Sequence, residues 1–369
     1  MNLSLRYMLA ENNTLVIRGP GSIRLREGEA AVLGAPLERD RKLIVGREKQ
    51  LPVEAGTEAD LEILLGESGE IFEIEGSTIP ASWHVAAEAL AQMERGKVMV
   101  IGATDVGKST FCTYLANRML EHGLKVRVID ADIGQADIGP PTTIGSSVPT
   151  AFLSSLVDLT PEALIFVGHT SPRRVETKLI QGIQRLCSRD DASLTIINTD
   201  GWVFDSEAVS YKIKMIVATE PDFVIGLAAG TELQPILSLS RTHFLGIDTA
   251  KEALARSRGD RRAIRSASYR RYLEGGSTRS ISLQEVSFLT PNGFPSIRAL
   301  AGREFKSSVV GLLNNEGFML EIGIFMGFEN DELRVYSKSV EGVRKIEVGY
   351  VKLSTDGTEL EYSEPSQHD

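Results

Sequence analysis

The sequence predicts an α/β fold: a P-loop NTPase domain with a mostly parallel sheet, flanked by N- and C-terminal β-rich domains. Three observations carry this. Gly102-Ala103-Thr104-Asp105-Val106-Gly107-Lys108-Ser109 matches GxxxxGK[ST] in full, between an apolar run and a helical pattern. Apolar runs recur at KVMVIG, KVRVID, ALIFVG, LTIINTD, DFVIGLA and THFLGI, with helical stretches between several of them, such as 109–122 and 172–187. On either side the texture changes to short β-type runs broken by Gly, Pro and Asn.

The elements follow in order. Residues 1–78 alternate and turn often, as in NTLVIRGPGSIRLREGEAAVLGAPL, which predicts a small antiparallel sandwich or barrel. Pro80 breaks the chain before the helical HVAAEALAQME and opens a second domain, 79–275. Its strands are apolar throughout and alternate with helices, the pattern of a mostly parallel sheet covered on both faces. A basic segment closes it. After LEGGSTRSISLQ, the runs SSVVGLLNN, GFMLEIGIFMGFEN, ELRVYS and KIEVGYVKL predict a β-rich domain over 276–369, with a frayed polar tail at 363–369.

Composition narrows the class. With 42% apolar and 24% charged residues the chain is neither disordered nor collagen-like. No apolar run approaches the roughly 18–20 residues of a membrane span, and the start lacks the apolar stretch of a secretory signal. Cys112 and Cys187 cannot make a disulfide framework or a zinc site. Both sit in apolar helical contexts and are expected as buried free thiols, which fits a reducing cytoplasm. A net charge of −10 argues against a protein that coats nucleic acid. Residues 251–272 nevertheless hold eight Lys/Arg against two Asp/Glu. Such a block suits a local contact with phosphates or a solvated helix face.

The phosphate loop carries the clearest chemistry. Its glycines let the backbone N–H groups wrap a β-phosphate, and the helix from Ser109 points its positive end there. Lys108 reaches the β and γ oxygens in such loops, and Ser109 ligates Mg²⁺. The run VIDADIGQADIGPP places Asp130 and Asp132 on one side of a strand terminus, where a Walker-B acid belongs. An acidic pair there can hold the metal through water and take a proton from an attacking hydroxyl. Asp137 fits a helix cap better. Two absences make the loop a poor match for two NTPase types: Ala103 stands where dimeric ATPases with a deviant loop carry a second lysine, and FVIGLAAGTEL offers no NKxD guanine reader.

GHTSPRR (168–174) and NTDGWV (198–203) both fall at predicted carboxyl ends of strands. Trp202, one of two tryptophans, can offer a nucleobase a stacking face there, or simply pack at the rim of the core. Arg256, Arg258, Arg261, Arg262 and Arg265 crowd a predicted helix after the last strand of the sheet. Arginines over a phosphate loop can neutralise a transferring phosphoryl group like a lid. Only the fold decides whether block and loop meet.

In this order and spacing, GATDVGKST, DADIGQ, GHTSP, TDGWV and RSRGDRRAIRSASYRRYLEGG resemble the polynucleotide 5′-hydroxyl kinases. That family includes RNA kinases of tRNA splicing and of the pre-mRNA cleavage factor, rRNA-processing kinases and archaeal relatives; short spacings make the chain most similar to an archaeal member. The resemblance covers about 80–275, and STIPASW is similar to the start of the family's central domain.

The resemblance implies ATP, GTP or another NTP as donor with Mg²⁺ or another divalent cation, held by Gly102, Thr104, Asp105, Val106, Gly107, Lys108, Ser109 and Thr110. It implies single-stranded RNA or DNA 5′-hydroxyl ends as acceptor, and RNA-processing proteins as partners. Asp132 becomes the general base, with Asp130, Asp132 and Ser109 toward the metal. Gln135, Thr170, Ser171, Arg173 and Trp202 fall on the acceptor, and Arg256 and Arg261 embrace the transferring group. Arg173 and Arg174 replace a small, glycine-containing turn of the eukaryotic pattern. Two rivals stand beside this reading: a nucleotide-bound scaffold of an RNA-processing complex, and an NTP-hydrolysing switch.

Overall fold

Residues 96–102 are apolar enough to be covered on both faces, and six of the seven are buried. In the computed structural model the strand Gly96–Gly102 pairs in parallel with Leu194–Thr199 on one side and Phe223–Leu227 on the other. His243–Ile247 extends the second side, also in parallel, and Val126–Ala131 lies beyond Leu194–Thr199. The strand that feeds the phosphate loop is therefore flanked by parallel strands, whose carboxyl ends share its edge. The structure describes residues 3–47, 49–189, 191–228, 230–240, 242–250, 252, 255–290, 305–329 and 332–360. The tail expected to fray at 363–369 and Lys251 of the basic segment lie outside the described residues.

The chain divides into two compact units. The first comprises Met1–Ile129, Ser147–Thr160 and Arg189–Ser257; the second comprises Asp130–Ser146, Pro161–Ser188 and Arg258–Asp369.

In the first unit, two antiparallel sheets form from the N-terminal residues. One orders its strands Leu3–Leu9, Ala59–Leu65, Gly21–Glu27, Leu43–Val45; the other orders Ala35–Pro36, Ala30–Val32, Gln50–Ala55, Thr14–Arg18, Glu70–Ile74. Alternation does the work: Gln50–Ala55 buries every second residue, Leu51, Val53 and Ala55. Pro80 then caps the helix Ala81–Ala91. Its Trp83 meets Phe111 edge-on at 5.2 Å, and Trp83 Nε1 donates to the Asp248 carbonyl at 2.8 Å. Phe111 belongs to the helix Lys108–Glu121, which opens on Gly107 at φ 97° and buries Cys112, Leu115 and Met119. Asn117 on this helix is fully buried with its amide satisfied, donating to Leu33 and Leu153 carbonyls and accepting from Leu153 N–H.

In the second unit, Ala163–Phe166 pairs with Thr143–Ser147 in antiparallel fashion. This corrects the expectation for ALIFVG, whose apolar run reads as one more parallel strand. Its partner was not legible because TIGSS is small and polar, although all five residues are buried. The stretch 172–187 likewise splits into a 3₁₀ turn, Pro172–Arg174, and the helix Glu176–Cys187. The C-terminal residues form a six-stranded sheet in the order Ser277–Ser282, Glu332–Ser337, Met319–Glu329, Ser308–Leu313, Lys345–Lys352, Ser287–Leu289. One core explains why these elements fall together. Phe166, Tyr269 and Leu273 of the basic helix Arg258–Leu273, Val309, Ile322 and Ile324 of the sheet, and Leu353 just after its strand pack as one cluster.

Of the two cysteines, Cys112 is buried as expected, whereas Cys187 at the end of its helix is only half-buried. No helix among the described residues is long and apolar enough to cross a membrane.

Candidate active site

The phosphate loop obtains its shape from backbone requirements. Gly107 adopts φ 97° at the head of its helix, and Asp105 holds φ 63°, a left-handed conformation that Asp tolerates better than most residues. A Cβ on Gly102 would come within 2.5 Å of the Leu227 carbonyl, so the loop leaves its strand where only glycine fits. Lys108 is buried, with Nζ donating to the Ala103 carbonyl of the same loop at 2.8 Å. Ser109 Oγ accepts from Asn198 Nδ2 at 3.2 Å. Asn198, itself buried, stands near the carboxyl end of the adjacent strand.

The same strand leads into the loop that carries Trp202. A Cβ on Gly201 would lie 2.4 Å from Thr104 Oγ1, so this loop rests directly on the phosphate loop. Asp200 fixes it: its carboxylate accepts from Trp202 N–H at 3.0 Å and Tyr211 Oη at 2.7 Å, and faces the fully buried Lys212 ammonium at 3.1 Å. Trp202 is half-buried and stacks on Tyr211 with ring centres 5.6 Å apart, its Nε1 donating to Asp205 at 2.9 Å. It is a rim residue held at a fixed angle.

Arg256 reaches the phosphate loop. Its backbone N–H donates to Asp105 Oδ2 at 3.0 Å, and its guanidinium pairs with Asp105 Oδ1 at 3.5 Å. An acid inside a polyphosphate-binding loop repels its ligand unless neutralised, and Arg256 supplies that charge. Arg256 precedes the helix Arg258–Leu273 and is not on it, which corrects the expected placement. Block and loop thus meet through Arg256.

The acidic turn belongs to the second unit. Asp130 is wholly buried and takes three backbone N–H groups: Asp132 at 3.2 Å, Asp137 at 2.6 Å and Ile138 at 3.1 Å. Burial pushes the Asp130 carboxyl up to about 7, and Asp137 and Asp132 add to the rise against the N–H donors. A carboxylate engaged in this way shapes the turn more than it offers oxygens to a metal. Asp137 is no helix cap; it is buried inside the same turn. Asp132 is half-buried, and its Oδ1 accepts from Gly134 N–H at 3.2 Å and Gln135 N–H at 3.0 Å. Gln135 Nε2 turns back onto the Gly134 carbonyl at 2.6 Å.

This turn touches the Thr170 segment: a Cβ on Gly134 would lie 2.8 Å from the Thr170 carbonyl. Beside it, Ser171 N–H donates to His169 Nδ1 at 2.8 Å, which leaves any ring proton of the neutral imidazole on Nε2. Arg173 is exposed on the 3₁₀ turn that follows. Arg261 stands on the basic helix, whose neighbouring arginines are structural. Arg262 donates to the Glu359 carbonyl at 2.6 Å, and Arg265 pairs with the Glu359 carboxylate at 2.8 Å.

Gly102, Thr104, Asp105, Val106, Gly107, Lys108, Ser109, Thr110, Trp202 and Arg256 belong to the first unit, and Asp130, Asp132, Gln135, Thr170, Ser171, Arg173 and Arg261 to the second. Sequence reasoning missed Asn198, Asp200 and His169. Each lies inside a stretch whose position was noticed, NTDGWV or GHTSP, but only the strand order and side-chain bonds single them out. Hydroxyl and carboxylate oxygens are the hard donors that suit Mg²⁺. No cluster of three or more His, Cys, Asp or Glu that could hold a metal occurs among the described residues.

The family model of the mRNA cleavage and polyadenylation factor CLP1 P-loop matches residues 102–275. A polyribonucleotide 5′-hydroxyl-kinase of Pyrococcus furiosus is 30% identical over 336 residues, covering 76% of this chain and 95% of that protein. A polyribonucleotide 5′-hydroxyl-kinase of Methanocaldococcus jannaschii is 25% identical over 321 residues, 72% of this chain and 89% of that one. The solved structure of wild-type Clp1p in complex with Pcf11p is similar in fold, with a TM-score of 0.74 at 13% identity, over 95% of this chain and 98% of that one.

Proposed function

The chain belongs to the family of the CLP1 P-loop proteins and the archaeal polyribonucleotide 5′-hydroxyl-kinases, and from that premise we propose that it transfers the γ-phosphate of ATP, or of GTP or another NTP, to the 5′-hydroxyl of single-stranded RNA or DNA. The observation that carries this reading beyond nucleotide binding is the Asp132 turn. It presents a half-buried carboxylate, held by two backbone N–H groups, on a turn that touches Thr170. A positioned acid of this kind is what a kinase needs to accept a hydroxyl proton.

In the proposed reaction the 5′ oxygen attacks Pγ in line, the bond from Pγ to the β–γ bridging oxygen breaks, NDP leaves, and the hydroxyl proton passes to Asp132. Such transfer needs alignment and charge stabilisation more than covalent help. Backbone N–H groups of residues 102–110 cradle the donor phosphates. Lys108 exchanges the Ala103 carbonyl for phosphate oxygens, and Ser109, oriented by Asn198, offers Oγ to the cation. Mg²⁺ or another divalent ion would be held by Ser109 and Asp132 and would supply charge neutralisation of the donor phosphates. Arg256 and Arg261 stabilise the transferring group, and Gln135, Thr170, Ser171, Arg173 and Trp202 bind the acceptor end. Asp130 acts through the shape it gives the turn. RNA-processing proteins as partners, and a cytoplasmic location in keeping with two free cysteines, belong to the same proposal.

The test is incubation of the purified protein with γ-labelled ATP, Mg²⁺ and a 5′-hydroxyl oligoribonucleotide. The expected result is label at the 5′ end, abolished when the oligonucleotide already carries a 5′-phosphate. Label only in free phosphate makes the protein a hydrolysing switch; label nowhere leaves a nucleotide-bound scaffold.

A further inference from the structure

We infer that Tyr350, on the C-terminal sheet, is an acceptor-strand contact: its ring stacks on a nucleobase just 3′ of the terminal nucleotide. This rests on the kinase reading of the Thr170 segment and extends it to the C-terminal residues, to which that reading gives no role.

The first observation is a distortion of the sheet. Along the pair Ser308–Leu313 and Lys345–Lys352, Val310 faces Val348 but Ser308 faces Lys352. One strand advances two residues while the other advances four, so 349–351 bulge from the ladder. Bulges re-aim side chains and are common beside active sites. Here the bulged backbone makes its bond elsewhere: Tyr350 N–H donates to the Gly168 carbonyl at 2.8 Å.

The second observation is how closely the two segments approach. Gly168 sits at φ 83°, and a Cβ there would lie 3.0 Å from Gly349 Cα; a Cβ on Gly349 would lie 2.6 Å from the Gly168 carbonyl. Glycine on both sides lets backbone meet backbone at the point where GHTSP leaves its strand. The contact carries Tyr350 to His169, ring centres 5.3 Å apart at 72°. The residue remains 39% exposed. Docking a sheet needs neither an exposed aromatic nor a bulge that delivers one.

The third is charge. Arg173 and Arg174 are both exposed on the turn that follows Ser171. Exposed arginines on the segment whose His169 meets an exposed tyrosine ring make the pattern that tracks a single strand: cations for phosphates, a ring for a base. The ring is sequence-tolerant, because every base has a π-face.

The experiment uses the full chain and a 5′-hydroxyl hexaribonucleotide with 4-thiouridine at its second or third position. Irradiation is expected to crosslink the peptide that contains Tyr350. By fluorescence anisotropy, Tyr350→Ala should weaken binding of the unmodified hexamer about fivefold or more, with Tyr350→Phe restoring it. Thermal unfolding of both variants establishes that they are folded. In the transfer assay, Tyr350→Ala should raise the KM of the hexamer by the same factor and that of a nucleoside 3′-phosphate by less than about twofold. Equal hexamer affinity in wild type and Tyr350→Ala overturns the inference. Tyr350-dependent binding without phosphate transfer would keep it and overturn the kinase reading instead.

Discussion

The phosphate loop and the acidic turn are both short segments at strand ends, yet they are held in opposite ways. The loop is shaped by what its backbone must do: glycines at 102 and 107, a left-handed Asp105, and a buried Lys108 resting on the loop's own carbonyl. The turn is shaped by what its side chains accept, five backbone N–H groups divided between Asp130 and Asp132. In the proposed reaction the loop is a receptor whose lysine exchanges one oxygen for another, whereas the turn, its carboxylates already fixed by backbone N–H groups, acts without rearranging, the condition under which a fixed charge contributes most to catalysis.

The contrast can be broken from either side. The largest effect is expected at Asp132. Asp132→Asn keeps an oxygen for the Gly134 and Gln135 N–H groups but cannot take a proton, so transfer should fall by about 10²–10⁴-fold with nucleotide affinity retained. Strong residual kinase activity would move the base elsewhere. Lys108→Ala should cost about 10²–10³-fold in transfer and, unlike the change at Asp132, weaken nucleotide binding measured by calorimetry. Equal nucleotide affinity would deny the lysine its exchange of partners.

Asp200→Ala asks whether the Trp202 loop is scaffold. It removes the carboxylate that faces the fully buried Lys212 ammonium, and should lower stability by about 3–5 kcal/mol in denaturant titration. Trp202→Ala should raise the acceptor KM about fivefold or more and leave that of ATP nearly unchanged. An unaltered acceptor KM would return the indole to the rim of the core. The smallest effect is expected at Asp105→Asn, which tolerates the left-handed backbone and keeps an acceptor for Arg256 N–H while removing the ion pair. A loss of less than about tenfold in transfer is expected, and a gain would mean that Arg256 is better placed when released.

How much of this was legible follows from the range of each interaction. The phosphate loop is local: spacing of Gly107, Lys108 and Ser109 specifies it without reference to anything distant. The parallel strands were legible because continuous apolar runs need cover on both faces, and the β-rich ends because alternation is local too. Thr143–Ser147 was not, since burial of Thr, Gly and Ser is imposed by neighbours and leaves no apolar trace. Asn198 could not be told from any polar residue at a strand end until the strand order put it beside Ser109. The Asp105–Arg256 pair joins residues 151 positions apart, which no periodicity can reveal. The five arginines looked alike in sequence. The fold separates Arg256 on the loop from Arg262 and Arg265 on Glu359.

The shared core of Phe166, Tyr269 and the C-terminal strands has a consequence for how the chain is made. Phe166 emerges from the ribosome well before Val309, Ile322 and Ile324, its partners in that core. At about 5–20 residues per second, it waits on the order of ten seconds for them. During that interval the segment bearing Thr170 has no completed core beneath it, whereas the strands around the phosphate loop, the last of them His243–Ile247, are all synthesised before Val309. A nascent chain released before its last strands would thus carry a formed nucleotide loop and an exposed apolar face, a species for chaperones or proteases to intercept.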